Sequence, residues 1–160
     1  MKIPEETLYE NCGFTVTGLQ PEAESADYAA CTFKLGGKSV IYRQSKITPT
    51  KTGQFVTLWK RNGKGPIAPF DLSDAFDLVI VHAQSGKLSG QFIFPKAVLH
   101  NRGVLSGSGK SGKRAIRVYP PWDETTSKQA QQTQSWQSGY FIEFTGKTDP
   151  ERLKKLVENG

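Results

Sequence analysis

The sequence predicts a single α/β domain over residues 1–160, with a central mixed sheet flanked by helices. Three observations predict it. Apolar residues recur with a period of two in short runs between Tyr28 and Phe94, which is the spacing of a half-buried strand. The stretches opened by Pro95, by Ser127 and by Asp149-Pro150 carry helix-starting residues and no internal Gly or Pro. In the second half, strand-like and helix-like stretches alternate, the pattern of an α/β sheet. With 160 residues and 36% hydrophobic content, one core can bury about 70% of the unfolded surface without a disulfide or a metal.

Taken in order, the acidic leader Pro4 to Cys12 predicts a short helix closed by Gly13. Ala29, Cys31, Phe33 and Leu35 alternate with polar neighbours, Gly36-Gly37 supplies a hairpin turn, and Val40 to Arg43 returns as the second strand. Gln54 to Lys60 predicts a strand with Phe55, Thr57 and Trp59 on one face and Val56, Leu58 and Lys60 on the other. Phe76 to His82 and Gln91 to Phe94, joined across Gln84-Ser85-Gly86, read as the central strands, since the unbroken Leu78 to Val81 block suits burial on both faces. A helix from Pro95 to Gly103, a flexible Gly107 to Gly112 loop and a strand from Ala115 to Tyr119 follow. Ser127 to Trp136 predicts a helix and Tyr140 to Phe144 a strand, and Asp149-Pro150-Glu151 caps a last amphipathic helix.

Charge is distributed unevenly. From Tyr28 to Trp122 there are fifteen Lys and Arg against Asp71, Asp74 and Asp77, a net +12, whereas the two ends carry six bases and twelve acids, a net −6. A basic body of this kind serves a polyanionic partner such as nucleic acid. Cys12 and Cys31 form no CxxC pair, and neither they nor His82 and His100 show metal-ligand spacing. The start of the chain lacks the features of a secretion signal, and no apolar run approaches the ~20 residues of a membrane span. A soluble, cytoplasmic protein with no membrane partner is expected.

Three segments carry candidate chemistry. Arg43, Lys46, Lys51, Lys60 and Arg61 surround a turn rich in Thr hydroxyls, a pattern suited to phosphate oxygens; Trp59 is either a stacking face or, with Phe55 on the same strand face, part of the core. Ser106 to Arg114 ends in Gly109-Lys110-Ser111, like a nucleotide-binding loop. That motif needs a glycine five positions before Gly109, where Val104 stands, and a strand-to-helix context that is reversed here. What remains is a Gly-Ser loop offering Lys110, Lys113 and Arg114 to phosphates, or a solvated surface loop. In the third segment, Arg117, Tyr119, Trp122 and Trp136 with the amides of Gln134 and Gln137 form either a base-stacking surface or the closure of a helix on the sheet.

Catalysis on a phosphodiester asks for clustered carboxylates, Mg²⁺ and a nearby Lys. The nearest arrangement is Asp77 on one central strand and Lys96 just after the next, with Asp71 and Asp74 upstream; Phe94 occupies the position where a second metal-binding acid belongs.

Lys46 to Val56, Trp59-Lys60-Arg61, Pro69-Phe70, Gly90 to Lys96, Gly112-Lys113-Arg114, Arg117 to Pro120 and Thr133 to Gln137, in this order, resemble the MepB family over nearly the whole chain. The family takes its name from a protein encoded beside a multidrug efflux pump and its repressor. The resemblance implies a restriction-endonuclease-like topology, in which the Asp77 strand, Gly86 turn, Gln91 strand and Lys96 helix look like the core hairpin. The leading expectation is a nucleic-acid-binding domain without catalysis or cofactor, linked to multidrug resistance. Its phosphate contacts are Arg43, Lys46, Lys51, Lys60, Arg61, Lys110, Lys113, Arg114 and Arg117, with Tyr119, Trp122 and Trp136 as stacking residues. The alternatives are a divergent Mg²⁺-dependent nuclease using Asp77 and Lys96, and a binder of drugs or dyes.

Overall fold

The computed structural model describes residues 3–145 and 148–160. Helix α1 (Glu6–Asn11) leads into strand β1 (Val16–Pro21) and a single 3-10 turn (Ala26–Tyr28). Strands β2 (Cys31–Leu35) and β3 (Lys38–Gln44) then form the expected hairpin. Its two-residue turn uses Gly36 and Gly37 at φ +56° and +85°, the doubly left-handed turn that matches strand twist and that residues with a Cβ resist. After β3 come β4 (Lys46–Ile47), β5 (Gln54–Thr57), β6 (Trp59–Arg61), β7 (Ile67–Pro69) and the long central pair β8 (Leu78–Ser85) and β9 (Leu88–Pro95). The chain ends with α2 (Lys96–Asn101), β10 (Ala115–Val118), α3 (Lys128–Ser138), β11 (Phe141–Glu143) and α4 (Pro150–Glu158).

Six strands form one mixed sheet in the order β1-β2-β3-β8-β9-β11, with β3 and β8 parallel and every other neighbour antiparallel. The β3-to-β8 crossover carries β4 to β7. From it β4 and β5 pair with β10 in a three-stranded sheet, β10-β5-β4, and β6 and β7 make a separate ribbon. The strand expected over Gln54 to Lys60 therefore breaks at Leu58, where pairing changes: the Leu58 amide bonds the Arg114 carbonyl, and the chain then pairs with β7. Strand β1 has no counterpart among the expected elements. Its residues are largely exposed, so it lacks the apolar alternation that marks the inner strands.

Two clusters fill the two faces of the large sheet. Leu78 and Ile80 point to one, closed by α1 and by Leu153, Leu156 and Val157 of α4. Val79 and Val81 point to the other, where Val56, Leu58, Ile116 and Val118 of the crossover and β10 meet Leu99 of α2. Both sides of β8 are buried from Leu78 to Ala83, as its unbroken apolar run requires. Asp149 caps α4 as expected, its Oδ1 accepting from the amides of Glu151 (3.0 Å) and Arg152 (3.3 Å). Ser127 caps α3 through the Ala130 amide at 3.1 Å.

Candidate functional site

The three-stranded sheet and α3 enclose a groove of about 650 Å³. Its base follows from strand register. Phe55 lies directly opposite Arg117 on one neighbour and Lys46 on the other, so the three side chains stand in a row on one face. Val56 and Val118, one residue on, point into the core. The outward face of β5 thus holds Phe55 and Thr57, and Phe55, Trp59 and Tyr119 belong to neither hydrophobic cluster.

One side chain fixes the far wall. Strand β10 is an edge of its sheet, and an edge leaves backbone groups unpaired. Gln137 of α3, 1% exposed, fills that role: its Oε1 accepts from the Tyr119 amide at 2.8 Å and its Nε2 donates to the Arg117 carbonyl at 3.0 Å. One turn earlier, Gln134 Nε2 donates to the carbonyls of Pro120 (3.0 Å) and Asp123 (2.8 Å), and its Oε1 accepts from Thr125 at 3.0 Å. Both amides hold backbone, which favours the closure of a helix on the sheet over contact with a base. Trp136 completes the wall with its ring 5.5 Å from Phe94 and the Arg102 guanidinium 5.2 Å from its centre. Its role is closure of α3 on the sheet, with one edge on the groove.

The remaining wall is the 48–53 turn. Arg117 braces it, donating to the Thr52 carbonyl (3.0 Å) and the Thr48 hydroxyl (2.6 Å). Gly53, at φ +84°, lies under the Tyr119 ring, where a Cβ would sit 2.7 Å from ring carbons; only glycine meets both constraints.

Lys51, Arg102, Lys113 and Arg117 line the groove, and no acidic side chain does. Three of these cations come from the three segments singled out in the sequence. Arg102 escaped notice because only the packing of α2 against α3 brings it to Trp136. Lys46 is exposed beside the groove, with its Nζ 4.8 Å from the Tyr28 ring centre. Lys110 and Arg114 are exposed nearby in the chain but do not line it. Their loop is more ordered than expected: Gly107 and Lys110 exchange two backbone hydrogen bonds of 3.0 Å, and Ser106 Oγ accepts from the Gly112 amide.

Other expected contacts lie elsewhere. Arg43 is buried, 1% exposed, and donates to Glu22 Oε1 at 3.0 Å and to the Tyr42 carbonyl at 2.9 Å. Burial lowers its pKa, Glu22 offsets part of that effect, and no outside phosphate reaches it. Lys60 is spent on Asp74 at 2.7 Å, and Arg61 on Glu24 at 2.8 Å. Trp122 is half-buried and packs edge-on against Phe141 on the flank of the second cluster, with its ring nitrogen buried, away from the groove.

The pair considered for nuclease chemistry is likewise engaged. Asp77 Oδ2 accepts from the Ser39 amide at 2.8 Å, tying β8 to β3. The Lys96 ammonium donates to the Asp74 carbonyl and lies 4.8 Å from the Phe76 ring centre, and Phe94 is fully buried. Among the described residues no three His, Cys, Asp or Glu side chains gather as a metal site.

On the opposite face of the large sheet the structure assembles a polar cluster that sequence reading passed over. Glu5 Oε1 lies 2.9 Å from His82 Nδ1 and accepts from the Tyr42 hydroxyl at 3.0 Å. The Gln91 amide nitrogen lies 3.3 Å from the same His82 nitrogen, and Gln91 Oε1 accepts from the Tyr9 hydroxyl. Period two was the available signal, since Tyr42, His82 and Gln91 occupy core-facing positions of their strands.

Fold and site together define an α/β domain carrying a basic, acid-free groove. The MepB-like family model matches residues 22–143, and the chain belongs to that family. The crystal structure of MepB is 34% identical, covers 91% of this chain and all of its own, and superposes with a TM-score of 0.80. The bacterial homing endonuclease I-Ssp6803I, 15% identical over 81% of each chain, reaches a TM-score of only 0.44, too low to support an argument. No curated protein matches. No helix among the described residues is long and apolar enough to cross a membrane.

Proposed function

We propose that this chain binds nucleic acid by its backbone phosphates in the groove between the three-stranded sheet and α3, and does not cleave it. One observation carries the reading: Lys51, Arg102, Lys113 and Arg117 converge from four separate segments with no acid among the lining residues. Like charges gathered without an acid among them repel one another, and a polyanion that displaces their counterions relieves the repulsion. Thr50 and Thr133 add hydroxyls of the kind that position phosphates. Binding without cleavage follows from Asp77 and Lys96 being committed to local bonds and from Phe94 standing where a second acid would hold Mg²⁺. Within this proposal the β8–β9 hairpin corresponds to the core hairpin of the restriction-endonuclease-like topology, kept as a scaffold. The same family resemblance extends the proposal to a cytoplasmic role linked to multidrug resistance.

Fluorescence anisotropy of a labelled oligonucleotide at several salt concentrations tests it. Four phosphate contacts give a log–log salt slope of about −3 to −4. Lys51→Glu with Lys113→Glu lowers affinity at least ~10-fold, as expected for lost phosphate contacts. Unchanged affinity in that double variant rejects the assignment.

A further inference from the structure

The groove does not end at Trp136. Beyond that ring lies a second basin of about 530 Å³, lined by Val98, Asn101, Arg102, Trp136, Gly139 and Tyr140, and Arg102 and Trp136 belong to both cavities. The Arg102 guanidinium, 5.2 Å from the centre of the Trp136 ring, thus stands at the passage between them. The two sides of the passage differ in chemistry. The groove adds Lys51, Lys113 and Arg117, whereas among the described residues Arg102 is the one charged side chain lining the basin.

The rest of the basin is aromatic and amide. Trp136 and Tyr140 are half-buried against Phe94, with ring centres 5.5 and 6.2 Å from it, and give their remaining surface to the cavity. The Asn101 amide and the Tyr140 hydroxyl have no hydrogen-bond partner among the described residues. Asn101 is also the last residue of α2, and a helix collects carbonyl oxygens and partial negative charge at that end. Such a setting suits an amino donor and repels a phosphate. These features fit the base of a nucleotide whose phosphate Arg102 holds. The aromatic wall gives a base a face to lie on, and the amide offers a donor and an acceptor side by side. Adenine answers that pair with a ring nitrogen and an exocyclic amino group, and its purine ring covers more of the wall than a pyrimidine does.

We propose that this basin is a base-recognition pocket, in which Asn101 selects adenine at the position whose phosphate lies on Arg102. The inference rests on the reading of the groove as a nucleic-acid site and adds a sequence preference at one position.

Anisotropy titrations with three labelled oligonucleotides of equal length decide it: one all thymine, and two in which a short central run is adenine or guanine. The adenine probe binds at least ~5-fold more tightly than either of the others, as one bidentate amide–base pair provides. Asn101→Ala brings the three affinities together and leaves the salt slope unchanged, because the phosphate contacts are intact. Asn101 is exposed at a helix end, so the circular dichroism spectrum of Asn101→Ala is expected to match that of the parent. If thymine or guanine binds as tightly as adenine, or an adenine preference survives Asn101→Ala, the inference is overturned while phosphate binding stands. If none of the probes binds, the proposed function and this inference fall together.

Discussion

The two faces of the large sheet treat polar side chains in opposite ways. On the α1 and α4 side, Glu5, Tyr9, Tyr42, His82 and Gln91 are buried and partnered with one another. Across the sheet, beyond the second cluster, Lys51, Arg102 and Lys113 are exposed around a groove with no acid to answer them. Enclosing a polar group is costly unless it is partnered, because an unpaired one forfeits its hydration. Cations left in water face no such requirement, so a convergence of them is informative about what arrives from outside. A buried polar cluster is a statement about stability, an unanswered basic groove one about binding.

Substitutions separate the two statements. The largest loss of stability is expected at the pin beneath the groove: Gln137→Leu leaves the Tyr119 amide and Arg117 carbonyl without partners and costs about 2–4 kcal/mol in urea unfolding. A value near zero there means that β10 does not depend on this side chain. Next is Glu5→Gln in the opposite cluster, which removes the charge facing His82 and lowers stability by about 1–2 kcal/mol.

A smaller, pH-dependent effect sharpens that second case. Burial raises the pKa of the Glu5 carboxyl, but the hydrogen bond and charge of His82, aided by the Tyr42 hydroxyl, outweigh it and hold the group below its ordinary 4.5. An acid with a depressed folded pKa contributes stability that is complete above the unfolded value and is lost as pH falls through the folded one. Urea midpoints taken downward from about pH 6 should therefore drop more steeply below 4.5 in the parent than in Glu5→Gln. Parallel curves remove Glu5 from the acid response. The smallest effect on stability belongs to the groove: Lys113→Ala changes unfolding by less than about 0.5 kcal/mol yet reduces the salt slope of oligonucleotide binding by about 1. Loss of stability without loss of binding at that position would reverse the contrast between the two faces.

Much of this was legible in the chain. The Gly36-Gly37 hairpin, the doubly buried β8, the helix after Pro95 and the Asp149 cap each depend on residues adjacent in sequence, so local periodicity and capping chemistry suffice to read them. Cation identity was legible too, but cation exposure was not. Arg43 and Lys46 are three residues apart in one basic run; β3 carries the first into the interior beside Glu22, and β4 presents the second to solvent.

By itself the sequence determined the strand and helix periods, the basic body and the absence of acids from its 42–61 and 106–114 segments, because composition and spacing are properties of the chain. Tertiary structure alone decided which of those cations meet. Lys51, Arg102, Lys113 and Arg117 become neighbours only when β5 pairs with β10 and α3 closes over both, and that closure depends on Gln137 bonding a strand edge that does not exist until the sheet has formed.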